Sequence, residues 1–113
     1  MPKLSPAAQA ILDRTGIPPI GLGTSGRVGD DGIAAILTAI EIGYRHIDSA
    51  QNYGSEGPMG EAIRRSGLPR SAFFITTKVG DARLDKAQFL PSVEKSLATI
   101  GVAQVDLLLV HWP

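Results

Sequence analysis

The chain has 113 residues, of which 43% are hydrophobic and 19% charged, values that are ordinary for a globular domain. Eleven basic and eleven acidic side chains cancel, so the charge gives no reason to expect nucleic-acid binding. The absence of cysteine excludes disulfides and thiolate metal sites, and no apolar run resembles a signal peptide or a membrane span. We therefore expect a cytoplasmic protein that binds neither membrane nor nucleic acid.

The first part of the chain predicts a helix, a short strand and a second helix. Ser5 and Gly16 are start and stop signals around a short first helix. Residues 17–23 (IPPIGLG) contain two prolines, so at most their second half forms a strand. A second helix follows Asp30 and Asp31, which could cap it. Its apolar stripe has helical spacing and consists of Ile33, Ile36, Leu37 and Ile40.

The rest of the chain continues the alternation of strands and helices. Residues 44–48 predict a strand, and residues 55–67 a helix that begins with a capping serine and ends at a glycine. Residues 73–78 (FFITTK) are rich in aromatic and β-branched side chains and predict a third strand. A helix over residues 89–100 precedes a last strand over residues 105–110, whose nearly continuous apolar run is typical of a strand buried on both faces.

This order of elements predicts an α/β fold with a parallel sheet. Strands that alternate with crossover helices occur either in doubly wound sheets or in (β/α)₈ barrels. Four strands cannot close a barrel that normally has eight. We therefore expect either an open sheet or a partial (β/α)₈ TIM barrel.

Several ionisable side chains lie where the predicted strands end. Asp48, Lys78 and His111 end the second, third and fourth strands, and Tyr53 follows Asp48 in the next loop. The carboxyl ends of parallel strands converge, so these groups can form one site. A lysine beside a phenol favours the phenolate, an aspartate orients that lysine, and a histidine can polarise a carbonyl oxygen. Taken singly, the same residues are more often a cap, a solvated lysine or a structural histidine.

A competing interpretation concerns the glycines before the second helix. Gly21, Gly23 and Gly26 match the dinucleotide-binding pattern G-x-G-x-x-G, and Asp48 follows at a suitable distance for a ribose contact. The context disfavours this interpretation, because five residues (RVGDD) separate the motif from the predicted helix. The alternative is a tight turn after a short strand.

Five segments together resemble the aldo-keto reductases. They are IPPIGLGT, GYRHIDSAQNYGSE, GEAIRRSGLPR, FFITTKV and VDLLLVHWP, in this order. The resemblance covers nearly the whole chain and is closest to the prokaryotic reductases of small aldehydes and keto acids.

The resemblance implies a (β/α)₈ barrel that reduces aldehydes or ketones to alcohols with a nicotinamide cofactor. By this resemblance Tyr53 is the proton donor, Lys78 activates it, and Asp48 holds Lys78 and touches the nicotinamide ribose. His111 orients the substrate carbonyl. The expected cofactor is NADPH, with NADH possible, and the expected partner is a small-molecule carbonyl compound.

The resemblance also implies two further contacts, and it implies that the chain corresponds to only part of a barrel. Thr24 would lie near the nicotinamide end of the cofactor, and Trp112 would line the substrate pocket. Residues 1–113 correspond to the N-terminal half of such a barrel, with no second domain. We therefore expect the chain alone to be inactive. The alternative is a non-catalytic half-barrel that pairs with another chain, or with itself, through its open sheet edge.

Overall fold

The computed structural model describes residues 3–113, which form a four-stranded parallel sheet with helices packed against it. The strands are β1 (Gly21–Gly23), β2 (His46–Asp48), β3 (Phe74–Val79) and β4 (Leu107–Val110). The helices are α1 (Pro6–Thr15), α2 (Gly29–Glu41), α3 (Glu56–Arg65) and α4 (Phe89–Ile100). Within the described part of the chain, every helix is too short or too polar to cross a bilayer. The predicted alternation of strands and helices is confirmed.

The strands lie in the sheet in the same order as in the chain, β1-β2-β3-β4, and all pairs are parallel. Because parallel crossovers are right-handed, an order without reversal puts the connecting helices on one face of the sheet. The contacts between α2 and α3 and between α3 and α4 agree with this. A doubly wound sheet would instead reverse its strand order. The arrangement is the one that a (β/α)₈ barrel uses.

The start of α2 does not fit the dinucleotide-binding interpretation. Gly26 has a φ of 77°, in the left-handed region, and α2 begins only at Gly29. No helix N-terminus therefore opens inside the glycine motif. The prediction that Asp30 and Asp31 cap α2 is wrong, because the N-cap is Val28 and makes no side-chain bond. Both carboxylates lie in the first turn, where they interact favourably with the helix dipole.

Helix α1 begins and ends as predicted. The Ser5 hydroxyl accepts a hydrogen bond of 3.2 Å from the Ala8 amide, and Gly16 ends the helix at a φ of 71°. The helix has no buried residue. It therefore contributes little to the core.

The core lies between the helices and the outer face of the sheet. Ile47, Ile75 and Val79 point to this face and are completely buried. They alternate along the strands with residues that face the other way, as the period of two requires. The helices and the loops beside them contribute the remaining large core residues, which are Ile36, Ile40, Met59, Ile63, Phe73 and Ile100.

Strand β4 corrects one prediction. The apolar run was expected to be buried on both faces, but Leu109 is 41% exposed and Val110 49%. Within residues 3–113, β4 pairs only with β3 and so forms an edge of the sheet. The strand is also shorter than predicted. Ahead of it, the Asp106 carboxylate accepts a 2.7 Å hydrogen bond from the Ile75 amide.

Strand β2 is also shorter than predicted. The Tyr44 amide donates to the Ala39 carbonyl oxygen at 3.0 Å, so it completes the end of α2 rather than the sheet. Pairing with β1 and β3 therefore starts at His46.

Gly60 allows α3 to approach the end of α4 closely. A Cβ atom placed on this residue would overlap the carbonyl group of Ile100. The obstacle is backbone, which cannot rotate away as a flexible side chain could. Gly57, in the same helix, is different, because its added Cβ would make only an ordinary contact of 3.8 Å with the Thr99 methyl group.

We expect Gly60→Ala to lower the free energy of unfolding of the chain by about 1–3 kcal/mol, because overpacking must push α3 away from α4. The matched control Gly57→Ala should be neutral or slightly stabilising, because alanine favours the helix and finds room. Urea unfolding followed by circular dichroism measures both variants. Equal stability of the two would contradict the close approach.

Candidate active site

The register of the sheet brings three of the predicted side chains to one edge. Asp48 pairs with Thr76, and Lys78 pairs with Leu109. Because side chains alternate along a strand, Lys78 faces the same side as Thr76, two residues earlier. His111 follows Leu109 by two residues, and its amide still donates to β3. Asp48, Lys78 and His111 therefore all lie on the inner face, opposite the face that α2, α3 and α4 cover.

An ion pair joins Lys78 to Asp48. The Lys78 Nζ atom lies 2.7 Å from Asp48 Oδ1 and also donates to the Ser49 carbonyl oxygen at 3.0 Å. The lysine side chain is 13% exposed and the aspartate side chain 38%. A nearly buried ammonium group needs such partners, because its desolvation would otherwise be unfavourable. The two acceptors also fix the direction in which Nζ points.

Tyr53 reaches the same ammonium group from the loop after β2. Residues Gln51–Tyr53 form one turn of 3-10 helix, and Gly54 reverses the chain at a φ of 69°. The Tyr53 Oη atom lies 3.5 Å from Lys78 Nζ, which is long for a hydrogen bond. Catalytic contacts are often this loose before a substrate binds. In this arrangement the Tyr53 Oη atom can give up or take a proton beside the fixed positive charge of Lys78.

His111 and Trp112 complete this edge of the sheet. The His111 ring meets the Tyr53 ring edge to face at 5.4 Å between centroids and stacks on the Trp112 ring at 5.7 Å. Its Nδ1 atom is buried and has no hydrogen-bond partner among residues 3–113. Trp112 is 62% exposed. The two rings thus hold an imidazole beside the phenol.

Thr24 is placed differently from the other predicted residues. Its hydroxyl is buried, lies 2.9 Å from Ser55 Oγ and donates to the Asp48 carbonyl oxygen at 3.3 Å. Ser55 Oγ is in turn 3.2 Å from Ser49 Oγ. Ser55 occupies the N-cap position of α3, but its hydroxyl makes no capping bond. The three hydroxyls instead join the ends of β1 and β2 to the start of α3, so a cofactor contact of Thr24 would have to come from its backbone.

A cavity of about 590 Å³ lies on the inner face of the sheet, where Ala8 and Ile11 of α1 also line it. Asp48 is the charged residue in its lining, beside Gly21 and Gly23, which carry no side chains. His46 also borders it, but its Nε2 atom is 3.0 Å from Thr76 Oγ1 and its ring packs edge-on against Phe74. His46 is therefore a packed residue.

The sequence did not reveal the residues that support these side chains. Gln51, Ser55 and Glu56 are all bonded to other elements through their side chains. The only signal was a run of polar residues around Tyr53 between two apolar segments. Such a run equally fits a solvated loop.

Comparison with known proteins agrees with the geometry. Residues 19–113 match the model of the Aldo/keto reductase family. The methylglyoxal reductase DkgB of Salmonella typhi is 45% identical over 97 residues, which are 86% of this chain and 36% of that protein. The chain therefore spans about a third of this relative.

Two solved structures show the same fold. A putative 2,5-diketo-D-gluconic acid reductase B has a TM-score of 0.79 and 41% identity, with 91% of this chain and 37% of that chain covered. The Bombyx mori aldo-keto reductase in complex with NADP has a TM-score of 0.78 and 33% identity, with 86% and 35% covered. The predicted partial barrel is confirmed.

We expect Asp48→Asn to lower the free energy of unfolding by roughly 1–3 kcal/mol, because Lys78 then keeps a nearly buried charge with fewer partners. The loss should be smaller than for a fully buried pair, because Asp48 is 38% exposed. Urea unfolding of the chain measures it.

The matched control is Glu61→Gln on the surface of α3. Glu61 pairs with Arg65 and Arg64, whose side chains are 54% and 53% exposed. The guanidinium group of Arg65, and after it that of Arg64, hold the pKa of Glu61 below its ordinary value by hydrogen bonding to the carboxylate. Solvent screens these two exposed ion pairs, so Glu61→Gln should lower the free energy of unfolding much less than Asp48→Asn does. Equal losses would contradict a structural role for the Lys78–Asp48 pair.

Proposed function

The chain belongs to the aldo/keto reductase family, and we propose that its candidate site serves the reduction of an aldehyde or ketone to an alcohol. The observation that carries the proposal is the Lys78 ammonium group, 2.7 Å from Asp48 and 3.5 Å from the Tyr53 phenol. Because the chain spans 36% of its methylglyoxal reductase relative, the proposal concerns a barrel whose remaining part is supplied.

The proposed roles follow from the charges at the site. Reduction adds a hydride to the carbonyl carbon and a proton to its oxygen, and a reduced nicotinamide supplies the hydride when it is bound. Tyr53 donates the proton from Oη and is left as a phenolate. The Lys78 ammonium group stabilises that phenolate, and Asp48 holds the ammonium group in place.

His111 is proposed to orient the substrate carbonyl. Its ring stands edge-on to Tyr53, so a carbonyl oxygen that approaches Oη also comes near the imidazole. A ring N–H donated to that oxygen polarises the carbonyl and favours attack at its carbon. Trp112, stacked on His111 and largely exposed, is proposed to form a wall of the substrate pocket.

The residues present fit the nicotinamide end of such a cofactor. The Asp48 carboxylate borders the open cavity of about 590 Å³ and can accept a hydrogen bond from a ribose hydroxyl. A Cβ atom placed on Gly23 would meet nothing within 4 Å, so the inner face beside Asp48 is open there, which suits a flat ring. Thr24 is proposed to contact the same end through its backbone. We propose NADPH as the cofactor, with NADH as the alternative, because a structural relative is described in complex with NADP.

The proposed substrates are small aldehydes and keto acids. The supporting observation is the pair of relatives named methylglyoxal reductase and putative 2,5-diketo-D-gluconic acid reductase. Both names describe compact carbonyl compounds. A cytoplasmic location stays a prediction.

A second candidate function is association through the exposed edge of the sheet. Leu109, Val110 and Trp112 are exposed apolar residues on or next to β4. An unpaired strand edge with apolar side chains favours pairing with another strand. In this alternative the chain is a non-catalytic half-barrel that pairs with another copy.

The catalytic proposal can be tested with a chimera. This chain would replace the matching 97 residues of the Salmonella typhi methylglyoxal reductase DkgB. We expect the chimera to oxidise NADPH in the presence of methylglyoxal. Tyr53→Phe should lower kcat/KM by about 100-fold or more, because it removes the proton donor. Stopped-flow or steady-state absorbance of NADPH measures both.

The control is Tyr44→Phe, which removes the chain's other tyrosine hydroxyl. Tyr44 precedes the start of β2, whereas the candidate site lies where β2 ends. This variant should keep the activity of the unaltered chimera. A Tyr53→Phe chimera that is folded and as active as the Tyr44→Phe chimera would sink the assignment of the proton donor.

The chain alone should oxidise no NADPH with methylglyoxal, because most of the barrel of its relatives is missing from it.

If the edge of β4 drives association, light scattering should give a mass above that of one chain. Val110→Lys should then reduce the mass, because a charge on the edge opposes strand pairing. Ile42→Lys is the control, since Ile42 is 71% exposed but lies at the end of α2. A single-chain mass for the unaltered protein would exclude the association.

A further inference from the structure

Two side chains fasten the segment that carries Tyr53 to the rest of the protein. The first is Gln51, whose Oε1 atom accepts a hydrogen bond of 3.0 Å from the Gly80 amide. Its Nε2 atom donates to Ser92 Oγ at 3.1 Å. Gln51 thus links the turn to the loop after β3 and to α4.

The second side chain is Glu56, at the start of α3. Its Oε2 atom accepts from Thr77 Oγ1 at 2.9 Å, and its Oε1 atom accepts from Ser96 Oγ at 3.3 Å. Glu56 is only 8% exposed, and within residues 3–113 both of these bonds come from neutral hydroxyls. A buried carboxylate without such donors would be strongly unfavourable, so the two bonds restrict where α3 can begin.

The two links are arranged symmetrically around the candidate acid–base pair. Gln51 and Glu56, here called the clamp residues, lie on either side of Tyr53 in the sequence. Their partners on the β3 side, Thr77 and Gly80, lie on either side of Lys78. The distance from Tyr53 to Lys78 is therefore held from both ends.

Helix α4 provides the second support of each link. Ser92 and Ser96 are one turn apart, buried, and face the clamp residues with small hydroxyl side chains. Larger residues at these positions would separate α4 from the turn. The clamp thus joins the Tyr53 turn and the start of α3 to β3 and to α4.

We propose that Gln51 and Glu56 are positioning residues that set the distance between Tyr53 Oη and Lys78 Nζ. Neither is proposed to touch substrate or cofactor; they act through the backbone of the Tyr53 segment and through β3. The inference rests on the proposed function only in treating Tyr53 and Lys78 as the acid–base pair. The geometric part of it can be tested without turnover.

The test measures how accessible the Lys78 amine is in the full chain. Amines are acetylated with a limiting amount of reagent, and peptide mass spectrometry compares Lys78 with the exposed Lys86. In the unaltered chain the Lys78 side chain is 13% exposed and should be protected. Glu56→Ala should raise the labelling of Lys78 relative to Lys86 on the order of threefold or more, because local opening moves Tyr53 away.

Two further variants separate the clamp from simple loss of a charge. Thr77→Val keeps the shape of the side chain and the Glu56 carboxylate but removes one hydrogen bond, and it should also raise the labelling. Glu56→Gln retains an oxygen that can accept from the Thr77 hydroxyl. Lys78 should therefore keep most of the protection from labelling that it loses in Glu56→Ala. If Glu56→Ala fails to fold, Thr77→Val decides the question.

The controls address general destabilisation. Ile75→Val weakens the core on the same strand without touching the clamp, and Glu94→Ala removes an exposed carboxylate from α4. Neither should change the relative labelling of Lys78. The inference is overturned if Thr77→Val is folded and leaves Lys78 protected, or if Ile75→Val exposes it equally.

The result is independent of the activity assay. If the labelling changes as expected but the chimera is inactive, the result counts against the proposed function and still supports the clamp. Unchanged labelling would overturn the clamp even if the chimera were active and lost its activity on Tyr53→Phe.

Discussion

The parallel register of the four strands is the constraint on which the candidate site depends. Each strand is offset so that Asp48 lies level with Thr76, and Lys78 lies level with Leu109. A lysine side chain is long enough to reach back across this offset to the aspartate of the neighbouring strand. A shift of β3 by one residue relative to β2 would turn Lys78 toward the helix layer and away from Asp48, so the ion pair would be lost.

Polar groups that cannot be left unpaired connect the site to the fold. The Lys78 ammonium group uses a carboxylate and the Ser49 carbonyl oxygen, and the Glu56 carboxylate uses two hydroxyls. The buried hydroxyls of Thr24 and Ser55 bond to each other. Each bond is modest in net energy, but an unsatisfied buried partner is costly, so the set specifies one arrangement of strand ends and helix starts.

The sequence predicted the layout well because the layout follows from periodicity. Strand and helix spacings gave the order of elements, and that order placed Asp48, Lys78 and His111 at one edge. The supports of the site were not predictable, because the burial of Glu56 depends on which helix packs over it. The exposure of residues 109–110 was not predictable either, since an apolar run reads the same at an edge as in the middle of a sheet.

Helices on one face of the sheet have a consequence for how the chain tolerates change. Along β3, residues 75, 77 and 79 face the helices, while residues 76 and 78 face the open side. Substitutions scanned along the strand would form two interleaved series, one that reduces the yield of folded protein and one that alters the candidate site in protein that still folds. Thr77 would belong to both series, because its hydroxyl reaches Glu56. Selection can therefore change the chemistry of such a strand at alternate positions while its packing stays the same.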